Sequence, residues 1–320
     1  MSKRVLFFNS LSRYWSSRYN KIRFRLMDIN CLIFLGIIAL LLIFFHNTIS
    51  QWPIYVLLHT GSIIIILELI RLGEIRRKNL VLSIFRTFYP VIVIMFGWKE
   101  INSLLPMFSG NYWFTEIAIY LDKSIFGVNP TIWVQHLYEP WFDELMNIFY
   151  SGYYLCIPLI PSILFMKGKR EQTLAAFSLI TFTYFTNYLL FYLFPAVGPH
   201  MAESLQGLHT IDYQGFFVSK ITRFIQANES LKGGAFPSCH TAAMLVWSLI
   251  ALRYLKKLGY VLMPATLGVA ISTVYLGYHH AVDAIGGLIL GVLCYSMSLA
   301  LIKFRKEDPI ASSEYISLSL

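Results

Sequence analysis

Residues 238–306 read SCHTAAMLVWSLIALRYLKKLGYVLMPATLGVAISTVYLGYHHAVDAIGGLILGVLCYSMSLALIKFRK. Three apolar runs stand out in this stretch: Ser238–Tyr254, Gly259–Tyr278 and Ala281–Ile302. Each approaches the roughly 20 residues that a helix needs to cross the hydrocarbon core of a bilayer. The breaks between them are short, so the three runs predict tight antiparallel neighbours. One break carries Arg253, Lys256 and Lys257; the other carries His279, His280 and Asp283. The stretch therefore predicts a helical membrane bundle with two faces of different chemistry.

Working outward, five more runs fit the same template: Ile29–Ile49, Trp52–Leu72, Leu80–Trp98, Phe142–Met166 and Gln172–Phe194. The expectation is an all-α, polytopic membrane bundle of about eight transmembrane helices. Composition agrees, since 57% of the 320 residues are hydrophobic and 13% charged, against about 25% charged in soluble domains. The chain reads as one membrane-embedded unit, residues 29–303, with a basic segment 1–28 before it and a tail 304–320 after it. The first run is read as a retained anchor, because no small-residue cleavage site follows it. The cysteines, Cys31, Cys156, Cys239 and Cys294, fall inside apolar runs, which argues against a disulfide framework.

The net charge of +9 does not point to nucleic acid, because the cations sit in short clusters between apolar runs. Seven precede the first run (Lys3, Arg4, Arg13, Arg18, Lys21, Arg23 and Arg25). Four follow the second (Arg71, Arg76, Arg77 and Lys78). Three follow the fourth (Lys167, Lys169 and Arg170), three the sixth (Arg253, Lys256 and Lys257) and three the eighth (Lys303, Arg305 and Lys306). Together these are 20 of the 26 basic residues, all on one side of an eight-span arrangement. The positive-inside rule makes that side cytoplasmic, with both termini on it. Two long connections, Lys99–Trp141 and Ala196–Pro237, then face the periplasm or an organelle lumen. The first is expected to hold an interfacial helix near Phe114–Phe126. Arg86 lies inside the third run, and two readings are open: snorkelling to the headgroups, or a buried pairing role.

This topology puts three histidine-bearing segments on the non-cytoplasmic side: Pro195–His200, Gly233–His240 and Ser272–Asp283. His279 and Asp283 are four residues apart, a spacing that pairs them on a helix face. A carboxylate against one ring nitrogen fixes the tautomer and leaves the other nitrogen basic and aimed. The alternative is a polar pair that anchors a span end. Ser238 reads as an N-cap, with Gly233 and Gly234 allowing close approach of backbone to a ligand. The helix start beyond Ser238 offers N–H groups to an anion, and His240 in its first turn can carry a proton to and from a leaving oxygen. Taken together, two histidines and an aspartate beside an anion site predict catalysis.

Pro237-Ser238-Cys239-His240, followed by Ser272 and then His279 and Asp283, resembles the type 2 phosphatidic acid phosphatase superfamily. The resemblance covers roughly Phe194 to Gly291. It implies a core six-helix lipid-phosphatase-type bundle, with His279 as a nucleophile that forms a phosphohistidine. It further implies that His240 is the general acid and base, that Asp283 orients His279, and that neither metal nor other cofactor is required. Three departures matter: Thr273 stands where the common pattern has arginine, the first motif's lysine and arginine are replaced by the stretch Pro195 to His200, and Cys239 stands where glycine is frequent. The Gly-Gly-Ala-Phe-Pro-Ser-x-His form looks more like the inositol phosphorylceramide synthase branch, which moves a phospho-alcohol headgroup between lipids. The expected partners are a phospholipid headgroup donor, a lipid alcohol acceptor of the ceramide or diacylglycerol type, and the membrane itself, with no nucleic acid.

A site without an arginine's two-pronged grip also suits the single charge of a phosphodiester better than a phosphomonoester. Candidate substrate-binding residues are Ser238, Lys232, Gly233, Gly234, His200 and Cys239, with Arg223 and Lys220 as further nearby cations. Asn187, Tyr184 and Tyr188 are read chiefly as interhelical hydrogen-bonding groups. Tyr150, Tyr153 and Tyr154 are read as an aromatic belt. His46, His59, His136 and His209 receive no role. The alternatives to a lipid phosphotransferase are a lipid or isoprenoid phosphate phosphatase, or an inactive transporter or scaffold.

Overall fold

A computed structural model of the chain describes residues 22–76, 78–108, 111–208, 215–229 and 232–310. His209, Arg77 and the cations from Lys3 to Lys21 lie outside the described residues, as does the tail from residue 311. The described residues form eleven α-helices: α1 (Leu26–Phe44), α2 (Trp52–Ile75), α3 (Leu80–Leu104), α4 (Phe114–Phe126), α5 (Pro130–Trp133), α6 (Pro140–Met166), α7 (Arg170–Leu193), α8 (Phe217–Glu229), α9 (Cys239–Tyr254), α10 (Lys256–Tyr275) and α11 (Ala281–Phe304). Among them is no strand; a single parallel bridge joins Ala196 to Gly234.

Seven helices are long and apolar enough to cross a membrane: α1, α2, α3, α6, α7, α10 and α11. The eighth expected span is α9, which has 16 residues and so extends about 24 Å. It falls short because it begins inside the bundle. Almost every residue of α9 from Cys239 to Ala251 is buried, and it packs against α6, α7, α10 and α11. A helix wrapped in protein need not match the lipid thickness. The polar breaks are as tight as expected: Leu255 alone separates α9 from α10, and residues 276–280 separate α10 from α11.

Three-dimensional packing also explains the lipid-facing apolar surface. Leu40, Phe44, Leu57, Ile65, Ile92, Leu155 and Ile289 are all exposed, as in a bundle whose solvent is hydrocarbon. The interfacial helix is present as α4 with the expected limits. It presents Ile117, Tyr120 and Ile125 outward, and it buries Ala118 and Asp122 against the bundle. The connection Ala196–Pro237 contains α8. Phe217, Ile221 and Phe224 of α8 are exposed on one side, while Ser219 and Thr222 are buried on the other.

Arg86 answers one open question. It is 3% exposed and its Nη2 donates to Asp28 Oδ2 at 2.5 Å, while the Tyr89 hydroxyl donates to Asp28 Oδ1 at 2.6 Å. Arg86 therefore pairs inside the bundle and does not snorkel. Asn187 bonds from α7 to the loop before α9 and not to another helix: its Nδ2 donates to the Pro237 carbonyl at 3.2 Å. Tyr188 donates to the Ile94 carbonyl at 3.2 Å, and Tyr184 bonds the hydroxyl of Tyr153. The four cysteines are buried and free.

Candidate active site

Backbone hydrogen bonds stitch the three histidine-bearing segments together. Ala235 N donates to the Ala196 carbonyl at 3.0 Å, joining the first segment to the second. His200 N donates to the Gly277 carbonyl at 3.1 Å, joining the first to the third. Ser238 N donates to the Asp283 carbonyl at 2.9 Å, joining the second to the third. Residues far apart in the chain are thus held by amides whose positions do not depend on side-chain rotamers.

The result is a histidine pair. His240 Nδ1 lies 3.3 Å from His279 Nε2. His279 Nδ1 lies 2.8 Å from the carbonyl oxygen of Ala235. A carbonyl can only accept, so Nδ1 of His279 carries the proton and its Nε2 presents a lone pair. The remaining contacts complete a directional chain. His240 Nδ1–H donates to His279 Nε2, and His240 Nε2 accepts from the Tyr154 hydroxyl at 3.2 Å. Every donor in this chain has one acceptor, which fixes both ring tautomers.

Asp283 is near this pair but holds it differently from the sequence expectation. Asp283 Oδ2 is 3.7 Å from His279 Nδ1, beyond hydrogen-bond distance, and accepts from His280 N at 2.8 Å. His279 precedes α11, so the two residues do not share a helix face. Asp283 instead caps α11, and the Ala235 carbonyl orients the His279 ring. The Asp283 charge still acts on that ring across 3.7 Å.

Asp122 of α4 escaped the sequence reading. It is buried, and its two oxygens accept from Ala281 N at 3.0 Å and Val282 N at 2.9 Å. An isolated carboxylate on an amphipathic helix gives no signal that it caps another helix about 160 residues later. His280, next to the pair, faces Asp122 with Nδ1 at 3.9 Å and does not line the cavity. Burial pushes the Asp122 carboxyl up from its ordinary value, against the downward pull of its two backbone donors.

The histidine pair opens on a cavity of about 250 Å³. From α3 it is lined by Met95, Trp98 and Lys99; from α6 by Tyr150 and Tyr154; from α8 by Ile225 and Gln226. Gly198, His200, Met201, Gly234, Ala235 and Tyr278 complete the wall. His200 is held by Nδ1 donating to the Gly277 carbonyl at 2.8 Å. Burial pushes the Tyr278 phenol up, so it remains a hydrogen-bond donor at neutral pH. A second, more apolar pocket of about 80 Å³ adjoins this cavity, sharing Met95, Trp98, Tyr154 and His240 and adding Ile94, Tyr153, Ile157, Tyr184 and Tyr188.

Of the residues singled out in the sequence, His240, His279, His200 and Gly234 line the main cavity. The others take different places. Ser238 N-caps α9, its side chain accepting from Thr241 N. Cys239 lines the smaller pocket. Gly233, at φ +87, turns the chain against Leu105. Lys232 is exposed, and its backbone N–H donates to Asn102 Oδ1. Arg223 pairs with Asp143 at 3.0 Å and lies outside the lining, as does Lys220. The lining cation is Lys99, hidden from sequence reading because it looked like a span-end lysine. Tyr150, Tyr153 and Tyr154 are no lipid belt: their rings stand 4.8, 5.0 and 5.9 Å from that of His240.

A polytopic helical bundle that buries a histidine pair against a cavity at one end of its helices defines the class: a membrane protein with its polar groups gathered at one site. Comparison with known proteins places it further. Residues 119–297, more than half of the chain, match the PAP2 superfamily, and the chain belongs to that superfamily. A PA-phosphatase related-family protein of Dictyostelium discoideum is 32% identical over 116 residues, which is 35% of this chain and 21% of that protein. The chain thus aligns with about a fifth of the length of this relative. No solved structure matches. Helices α1–α3 precede the superfamily match, so Trp98 and Lys99 are contributed to the cavity from outside it.

Proposed function

We propose that the chain is a lipid phosphotransferase that moves a phospho-alcohol headgroup through a phosphohistidine on His279. The observation that carries this reading is the His279 ring. Its Nδ1–H is committed to the Ala235 carbonyl, so its Nε2 lone pair points to His240 at the cavity wall. In the first step the hydrogen bond from His240 to His279 opens, the freed Nε2 lone pair attacks phosphorus, a P–N bond forms, and the P–O bond to the departing lipid breaks. His240, protonated for this step, gives its proton to the leaving alkoxide. The phosphorylated ring still carries its Nδ1–H and is cationic, and the Asp283 carboxylate 3.7 Å away steadies that charge. In the second step an alcohol attacks phosphorus, His240 takes the hydroxyl proton, and the P–N bond breaks to restore His279.

Two features favour a phosphodiester over a phosphomonoester. Thr273 replaces the arginine of the common pattern and bonds the Ala270 carbonyl at 2.8 Å. The cavity lining offers one lysine and no arginine. The adjoining apolar pocket, which shares His240 with the cavity, suits the hydrocarbon part of an acceptor lipid. By the positive-inside rule the cavity faces the periplasm or an organelle lumen, with both termini in the cytoplasm.

One observation favours a second reading, hydrolysis: the Dictyostelium relative carries a phosphatase-related name. Purified protein given a headgroup-labelled phospholipid and a lipid alcohol separates the two. Label in a second lipid is the expected result. Faster release of free phosphate from phosphatidic acid than transfer from any diester overturns the transferase assignment.

A further inference from the structure

At the opposite end of the bundle lies a second polar cavity, of about 190 Å³, lined by Arg23, Arg25, Glu74, Arg86, Arg170, Glu171 and Leu174. Arg86 and Lys99 sit on the same helix thirteen residues apart, so this cavity is about 20 Å along α3 from the catalytic one. Its charges are incompletely matched. Arg25 pairs with Glu171 at 2.8 Å, and one nitrogen of Arg86 pairs with Asp28. The other two donors of Arg86, Nε and Nη1, are buried with no hydrogen-bond partner among the described residues, and so is Nε of Arg170. Buried guanidinium donors left in this condition are costly, and native proteins rarely retain them without a ligand or function.

The surroundings say which ligand. Four guanidinium groups face three carboxylates, counting Asp28, so the cavity keeps a net positive charge. Arg170 is the first residue of α7, so the N-terminal end of a 24-residue helix adds positive potential. Gly73 of α2 has no side chain where the Arg86 stem passes: a Cβ there would sit 2.9 Å from Arg86 Cγ. Arg23 stands exposed at the mouth, and a guanidinium fork matches the oxygens of a phosphate.

We propose that this cavity binds a phosphate oxyanion, carried either by an anionic phospholipid headgroup or by free phosphate, at a site separate from the histidine pair. The site does not depend on which reaction the histidines perform.

Native mass spectrometry of the detergent-purified full chain tests it, with short-chain phosphatidic acid as one probe and inorganic phosphate as the other. The His279→Ala background silences turnover. One bound equivalent should weaken about tenfold or more in Arg23→Gln/Arg170→Gln and persist in Lys99→Gln. Retention of the lipid probe alone identifies a headgroup site; retention of phosphate alone identifies a soluble anion. Unchanged binding of both probes in the double variant overturns the proposal. A headgroup photoprobe on the wild-type chain gives a measurement that needs no variant to fold. Labelled peptides containing Arg23 or Leu174 support the site, and labelling confined to peptides containing Trp98 or Tyr278 overturns it.

Discussion

The chemistry of single residues reduces to where protons sit. The Ala235 carbonyl accepts from His279 Nδ1, so the nitrogen proposed as nucleophile is selected by backbone and not by a carboxylate. Replacing His279 with Ala should therefore abolish both turnover and acid-labile phosphoenzyme, read by trapping with labelled substrate. His240→Ala should lower turnover by roughly 10²–10⁴-fold, the range of general acid–base catalysis, while the protein remains membrane-inserted. Asp283→Asn keeps an acceptor for the His280 N–H but removes the charge near the ring. Its turnover should fall by about tenfold or more with little change in thermal unfolding. Asp283→Ala should in addition lose the α11 cap, worth about 1 kcal/mol. An Asp283→Asn variant with full turnover removes the electrostatic role given to that residue.

At the scale of helices, the site depends on how closely α9 meets α11 and on how α4 holds the start of α11. Gly287 of α11 lies against the first turn of α9, where a Cβ would overlap Thr241 Oγ1 and the Ser238 carbonyl. Gly287→Ala should therefore destabilise the bundle by about 1–3 kcal/mol. It should also disturb the Ser238–Asp283 backbone bond that aligns the two histidines. A melting midpoint in detergent equal to that of the wild type contradicts this. Asp122 gives a pH dependence of definite sign. Its folded value is raised by burial, so the native state holds its proton more tightly than the unfolded chain. The stability it contributes is complete below the ordinary aspartate value of about 3.9 and is lost as pH rises through the raised value. Asp122→Asn should flatten that part of the stability profile, measured as the midpoint between acid and neutral pH. The sequence made the helix α4 legible through its length and amphipathic pattern. It did not make Asp122 legible, because a cap donated across the fold leaves no local spacing to read.

For the whole molecule, the basic clusters and the cavity make one joint prediction. Single cysteines placed at Lys257 and at Lys123 should label from opposite sides of a sealed vesicle, Lys257 from the cytoplasmic side. Labelling of both from one side contradicts the orientation. Buried charge is the other property of the whole bundle. Arg86 and Asp28 come from different helices and pair in the interior, as do His59 and Glu100 at 3.3 Å. From sequence Arg86 is open between snorkelling and pairing and His59 carries no role, because the partner of each lies on another helix.

Apolar length and the alternation of cations determined the class of fold, because a bilayer demands long helices and biases the charges between them. The spacing of Pro237 to His240 and of His279 to Asp283 determined which residues to watch. Tertiary structure alone decided that a carbonyl orients His279, that three tyrosines and Lys99 enclose the reacting end, and that α9 stops short of a full span. These outcomes arise from contacts between segments dozens of residues apart, and distances of that kind have no period in the chain.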